Sequence, residues 1–379
     1  MKKKALIVAN LVGFVGFLWN DIKLLQTMGY EVEFAANAKV ISGENHVKYF
    51  EEKGVKFHQL DFSNSNPFST KNIKAFKQIR KMMKQEQYSF VHCHTPIAGL
   101  ITRLALAKYR RKGLKVAYTT HGFTFTHLSS KKQWMAYRTI EKIASAFTDT
   151  IITINQEDFE NAKKLFCKDV RMINGVGVDT DKYHNVTLDI DAYKRKLSLP
   201  CDKIMVLSVG ELSDRKNHQI IVKALGLMED KSNYIYVICG REVSGTGIAD
   251  RLKSLAKEQG VELYLLGHRK DIPEIMHCSD IGAIPSVREG LGLAGIQSLC
   301  AQVPLVGTRV QGIKDYIIDG KTGCLCEPFD ANAYKEAIKK LSDSKLRDTM
   351  KNACYEMALK YDQSVSFKQM QNIYEDILL

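Results

Sequence analysis

Residues 285–297, Pro-Ser-Val-Arg-Glu-Gly-Leu-Gly-Leu-Ala-Gly-Ile-Gln, carry the densest set of groups able to do chemistry. Glu289 offers a carboxylate to hydroxyl donors. Gly290 and Gly292, either side of Leu291, leave backbone N–H groups uncovered by side chains. Gln297 follows Glu289 by eight residues, two helical turns away on a similar face. A carboxylate for hydroxyls, amides for phosphate and an amide side chain for further hydroxyls are what recognition of an activated sugar requires. The same stretch also reads as an ordinary buried turn between a strand and a helix.

Other candidates stand at the ends of predicted strands. Gly210-Glu211-Leu212-Ser213-Asp214-Arg215-Lys216-Asn217-His218 opens a helix with two cations, Arg215 and Lys216, where a helix dipole already favours anions. That arrangement suits a pyrophosphate. Gly240 with Arg241, and His268 with Arg269, end the next two strands and suit the holding of a base. In the first half, Gly13 and Gly16 follow the first strand as G-x-x-G, a loop permitting close approach. The dinucleotide pattern G-x-G-x-x-G is absent. His92 and His94 close one strand and His121-Gly122 follows another. No carboxylate stands near them at ligand spacing, so no metal is expected. His121 is the better candidate for a positioned polar group.

These positions require elements to hold them. Apolar runs at 4–9, 31–36, 56–60, 90–93, 115–119, 150–154 and 170–173 alternate with helix-period stretches at 18–28, 71–85, 98–109 and 133–147. The pattern restarts with strands at 203–209, 234–239, 262–266, 280–285 and 304–306. Helices are expected at 217–228, 248–259, 293–300 and 331–341. Alternation of this kind predicts α/β architecture, two Rossmann-like domains each with a doubly wound parallel sheet. The reading places a first domain at 1–178 and a second at 179–360. Helices at 345–360 and 364–377 have no strand after them, and segment 361–379 is expected to reach back to the first domain.

A chain of 379 residues with 45% hydrophobic and 26% charged residues is an ordinary globular composition. No run of about 18 uncharged apolar residues exists, so no spanning helix is expected. The nine cysteines are scattered; Cys324-x-Cys326 fits neither a zinc knuckle nor a redox pair and reads better as alternation on one strand, and reduced thiols in a cytoplasmic protein are the expectation. The opening residues read as a first strand rather than a targeting segment. Net charge is +13, and residues 1–180, with 28 Lys/Arg against 15 Asp/Glu, carry all of it. Such asymmetry suits a phosphate-bearing acceptor or an anionic membrane surface. Nucleic acid is the competing partner, but no basic-aromatic platform supports it.

The segments Val91-His92-Cys93-His94-Thr95-Pro96, Thr120-His121-Gly122, Asn174-Gly175-Val176-Gly177-Val178-Asp179, Gly210-Glu211-Leu212 with Lys216-Asn217, and 285–292 resemble, in order and spacing, the retaining glycosyltransferases of family 4. The likeness is greatest to bacterial enzymes that build capsular or extracellular polysaccharide on a lipid carrier. It implies the GT-B fold, two Rossmann-like domains facing each other across a cleft. It also implies a nucleotide-sugar donor, UDP-linked in the most similar-looking relatives, and a lipid-linked or saccharide acceptor. Lys216, helped by Arg215, would neutralise the diphosphate as it leaves. Glu289 would bind sugar hydroxyls beside the amides of Gly290, Leu291 and Gly292, and Gln297 the ribose hydroxyls. His121 would reach the sugar from the first domain. Such enzymes typically need no metal and no cofactor. Two positions depart from the family pattern: Gln297 stands where E-x7-E ends in Glu, and Glu211 where Arg is common. These departures keep open a donor-binding partner subunit of weak activity, and the fold a nucleotide-sugar epimerase. The enzyme reading places the protein in the cytoplasm, peripheral on the inner face of the membrane, with the basic stretch Lys74–Lys84 as docking face.

Overall fold

The computed structural model describes residues 3–40, 43–63 and 66–378. The chain divides into two compact units, one formed by the residues up to Val176 together with those from Ser364 on, the other by Gly177–Gln363.

The first unit is built on a sheet of β1 (Lys4–Leu11), β2 (Glu31–Asn37), β3 (Lys56–Gln59), β4 (Tyr88–His94), β5 (Lys115–Thr119), β6 (Thr150–Thr153) and β7 (Asp169–Met172). Their order is β3-β2-β1-β4-β5-β6-β7 and the paired strands run parallel. Ala5–Ala9 is buried at every residue, as a parallel strand covered on both faces must be. Strand order reverses between β1 and β4, and in open sheets ligands bind beyond the strand ends at such a switch point. The helices Pro96–Arg110 and Lys131–Ser145 are joined by a buried ion pair: Arg103 Nη2 donates to Glu141 Oε2 at 2.8 Å while its guanidinium lies 3.8 Å from the centre of the Tyr118 ring. The final helix, Gln363–Leu378, packs into this unit through Tyr374, whose hydroxyl lies 2.7 Å from His92 Nδ1.

The second unit repeats the plan with β8 (Ile204–Val209), β9 (Tyr234–Cys239), β10 (Glu262–Gly267), β11 (Ile281–Ile284), β12 (Leu305–Thr308) and β13 (Gly323–Cys326). The order is β10-β9-β8-β11-β12-β13, again parallel, with the reversal between β8 and β11. The sequence reading stopped its strand series at 306. β13 carries it one further, and Cys324 and Cys326 lie within that strand. Among the described residues no helix is long and apolar enough to cross a membrane.

Candidate active site

The two loops that leave β8 and β11 meet at the switch point of the second unit. After β8 the chain makes a single 3-10 turn, Asp214–Lys216, then turns at Asn217 with φ +51° before the helix Gln219–Gly226. The sequence had placed the helix start at Asn217; the cations instead sit in the turn before it. After β11 comes the loop with Glu289, and then the helix Leu293–Cys300 behind Gly292 at φ +80°. Val287 N–H donates to Arg215 O at 2.9 Å and fixes one loop on the other.

Between them lies a compact charge cluster. Lys216 Nζ donates to Glu289 Oε2 at 2.6 Å, and Arg215 Nη1 donates to the same oxygen at 2.9 Å. Ser286 Oγ donates to it at 3.2 Å. Arg215 also reaches Arg288 O and Glu211 Oε1, at 3.1 and 3.2 Å. Only 14% of the Glu289 side chain is exposed. Burial pushes its carboxyl up, but the charges and hydrogen bonds of Lys216 and Arg215 outweigh it and hold the group below the ordinary carboxylate range. The two cations expected to wait for a pyrophosphate are therefore already engaged with the carboxylate expected to meet the sugar.

The remaining donor-side candidates divide. Gly240 ends β9 and packs against the loop after β8, where an added Cβ would lie 1.7 Å from Gly210 O; only glycine fits. Arg241 and His268 are exposed at the ends of β9 and β10. Arg269 is not a ready cation: its guanidinium grips Asp271 at 2.9 and 2.5 Å, and Asp271 also accepts from Tyr193 Oη at 2.5 Å. β10 lies two strands from β8, roughly 10 Å away, so Arg269 belongs to the edge of the sheet rather than to the Lys216–Glu289 cluster. Leu291 is buried, which leaves its backbone as the part available to a ligand. Gln297 is half-buried on its helix. Sequence reasoning missed the supports from β12 and beyond. Gln311 Oε1 accepts from Glu289 N–H at 3.2 Å, Gly312 leaves no room for a Cβ against Gly290 O, and Tyr316 Oη donates to Gly292 O at 3.2 Å. The signal available was Gln311-Gly312 just beyond an apolar strand.

In the first unit, β4 persists to His94, so His92 and His94 share a face with ring centres 4.0 Å apart. Both nitrogens of His92 are engaged, by Tyr374 Oη at 2.7 Å and Thr119 Oγ1 at 2.8 Å. His94 Nδ1 lies 3.2 Å from His121 Nε2. The carboxylate that the sequence did not place nearby is Asp21, from the helix Val15–Thr27, with Oδ2 4.0 Å from His94 Nε2. Asp21, His92 and His94 offer ligand atoms within 4.8 Å of one another. With His92 committed, two donors are left, short of the three protein ligands of a catalytic zinc site. Burial pushes His92 down to about 3 and His121 down to about 4, and raises Asp21 to about 7. The expected glycine loop is instead helical: Gly13 lies in a 3-10 turn and Gly16 in the first turn of Val15–Thr27. Among the described residues, beyond the adjoining backbone, nothing lies within 4 Å of a Cβ added at either.

Residues 14–155 match the family described as "Glycosyl transferase 4-like" and residues 189–357 the family "Glycosyl transferases group 1". The putative glycosyltransferase EpsD of Bacillus subtilis (strain 168) is 30% identical over 99% of this chain and 97% of its own length. The UDP-Gal:alpha-D-GlcNAc-diphosphoundecaprenol alpha-1,3-galactosyltransferase of Escherichia coli is 27% identical over 75% of this chain and 74% of its own. Among solved structures, HepE of Anabaena in complex with UDP superposes with a TM-score of 0.78 at 16% identity, covering 98% of this chain and 100% of that one. By sequence match and by fold, this chain belongs to the family-4 glycosyltransferases of the GT-B fold.

Proposed function

We propose that the protein transfers a sugar, with retention of anomeric configuration, from a UDP-linked donor to a lipid-linked or saccharide acceptor. The observation that carries this reading is the Arg215–Lys216–Glu289 cluster at the β8/β11 switch point. When the donor enters, its diphosphate replaces Glu289 as the partner of Lys216 and Arg215. Both cations are already gathered on the loops that face the switch point, so once they have exchanged partners they act directly on the developing negative charge. Glu289, released, turns to the sugar hydroxyls beside the backbone of Gly290, Leu291 and Gly292. Gln297 takes the ribose hydroxyls and the ends of β9 and β10 the base. Diphosphate departure is met by side-chain cations in this reading, with neither metal nor cofactor assigned a step. His121 is assigned a hydrogen bond to the substrate.

Support for UDP comes from the UDP-Gal donor of the Escherichia coli relative and the UDP bound in the Anabaena structure; support for a lipid carrier comes from the diphosphoundecaprenol acceptor of the Escherichia coli relative. Peripheral docking on an anionic leaflet is supported by the helix Thr70–Gln85. It has no acidic residue and exposes Lys71, Lys74, Lys77, Lys81 and Lys84, with Phe68 and Ile73 exposed at its start.

A screen of nucleotide sugars by thermal shift tests the donor assignment. A UDP-sugar should raise the melting temperature, and Lys216→Ala should abolish the shift. An unchanged shift in that variant would place the donor elsewhere. Donor binding without UDP release in the presence of acceptor would instead assign the chain a donor-binding role.

A further inference from the structure

His121 stands at the outer end of a line of buried polar groups that nothing above explains. Behind it is His94, 1% exposed, with its Nδ1 3.2 Å from His121 Nε2. Behind His94 is Asp21, with a side chain only 13% exposed. The second nitrogen of His94, Nε2, is buried without a hydrogen-bond partner and faces Asp21 Oδ2 at 4.0 Å, about an ångström beyond hydrogen-bond length. A buried ring nitrogen and a buried carboxyl aimed at each other satisfy one another by closing that gap. His92 cannot substitute, since Tyr374 and Thr119 occupy both its nitrogens.

We propose that Asp21 and His94 are positioning residues that set which nitrogen of His121 is bare. With Asp21 ionised, its carboxylate accepts from His94 Nε2–H, and His94 Nδ1 then accepts from His121 Nε2–H. His121 is left with a bare Nδ1, an acceptor for a substrate hydroxyl. With Asp21 protonated the line reverses. The carboxyl O–H donates to His94 Nε2, His94 Nδ1–H donates to His121 Nε2, and His121 Nδ1 carries the hydrogen and becomes a donor. A base oriented by a second group and held in one tautomer by a third is the logic of the hydrolase triads, here with two imidazoles in series. The assignment to a substrate hydroxyl rests on the glycosyltransfer reading; the tautomer assignment rests on the geometry alone.

Four titratable groups surround Asp21: His92 and His94 on β4, His121 after β5, and Tyr374 on the final helix. The other residues that line its cavity, Phe17, Asn20 and Thr119 among them, are uncharged. Burial holds the Asp21 carboxyl at about 7, so the reversal falls in the neutral range.

The test uses the full-length protein with its histidine rings labelled with nitrogen-15, followed by NMR across pH 6 to 9 (roughly one unit or more either side of the Asp21 value). In the wild type the bare nitrogen of His121 should pass from Nε2 to Nδ1 as pH rises through about 7. In Asp21→Asn, neutral at every pH, that exchange should vanish. His94→Gln should abolish it with Asp21 intact, and circular dichroism should report an unchanged fold in both variants. A His121 pattern constant with pH in the wild type, or the same exchange persisting in Asp21→Asn, overturns the proposal. Transfer assays separate the two readings. A wild type with no transfer but with the exchange present refutes the glycosyltransfer step and leaves the tautomer assignment standing. Where the wild type is active, Asp21→Asn should lower kcat about tenfold or more with little change in donor KM, and an unchanged kcat would refute the link to a substrate hydroxyl.

Discussion

Glu289 accepts from Lys216, Arg215 and Ser286 on a single oxygen, Oε2. Two cations share one buried carboxylate, which leaves the trio at +1, so diphosphate must compete with Glu289 for both. Replacing Glu289 by Gln removes the competitor and keeps the shape. Calorimetry should therefore find UDP bound several-fold more tightly by Glu289→Gln, while transfer falls by a factor of about 10² or more. Weaker UDP binding in that variant would mean that the cations do not exchange partners. Much of this was legible from residue types: Lys216 and Glu289 announce themselves by charge beside glycine at predicted strand ends. Gln311, Tyr316 and Asp21 did not, because they reach their sites from other strands and helices and their neighbours in sequence say nothing of the partner. Arg269 misled for the converse reason. A basic residue at the right strand end looks available until Asp271, two positions on, is seen to hold it.

At the scale of elements, the helix Thr70–Gln85 buries Ala75, Ile79, Met82 and Met83 and exposes a row of lysines. The row was legible because 3.6-residue periodicity sorts apolar from basic positions directly. Near an anionic leaflet each lysine contributes about 1 kcal/mol, a contribution that salt screens. Charge reversal at two exposed positions, Lys77→Glu with Lys81→Glu, should lower co-sedimentation with phosphatidylserine vesicles at least tenfold at low salt, with the melting temperature unchanged. Equal sedimentation of wild type and variant would remove this face from the docking assignment. The Arg103–Glu141 pair shows where periodicity fails. Both residues lie on helices that were expected, yet both face inward, since the guanidinium stacks on Tyr118 and its charge is matched by Glu141. Charge alone would have assigned them to the surface.

For the whole molecule, two sheets of like winding each place their switch point at the carboxyl ends of the strands, and the opposite ends are secured separately. In the first unit Glu33, almost fully buried on β2, meets His58 Nε2 at 2.6 Å on β3, the Tyr88 hydroxyl on β4, and Lys4 Nζ at 3.4 Å on β1. Burial raises the Glu33 carboxyl, but the bonds from Tyr88 and His58, with the nearby charges, bring it below its ordinary value. A carboxyl depressed in the folded state binds its proton more tightly when unfolded. Its stabilisation is thus complete above about pH 4.5 and is lost as pH falls through the folded value. Glu33→Gln should therefore flatten the acid limb of a denaturation-against-pH curve below about pH 4.5, and should cost stability at pH 7. An acid limb as steep as that of the wild type would locate acid sensitivity elsewhere. The two-sheet plan was legible because it follows from alternating strand and helix. Of the strands, β13 was read only from the alternation of Cys324 and Cys326, without bounds, because the run between its flanking turns carries no longer apolar pattern.

The final helix returns the last stretch of the chain to the sheet that the first residues began, and Tyr374 closes over His92. The first unit is therefore not one continuous stretch: part of its wall is supplied by residues that follow the whole of the second unit in the chain. A single cut near Val176 would leave the residues before it with a histidine-bearing flank uncovered, so the two units cannot be parted at one point without unroofing the first.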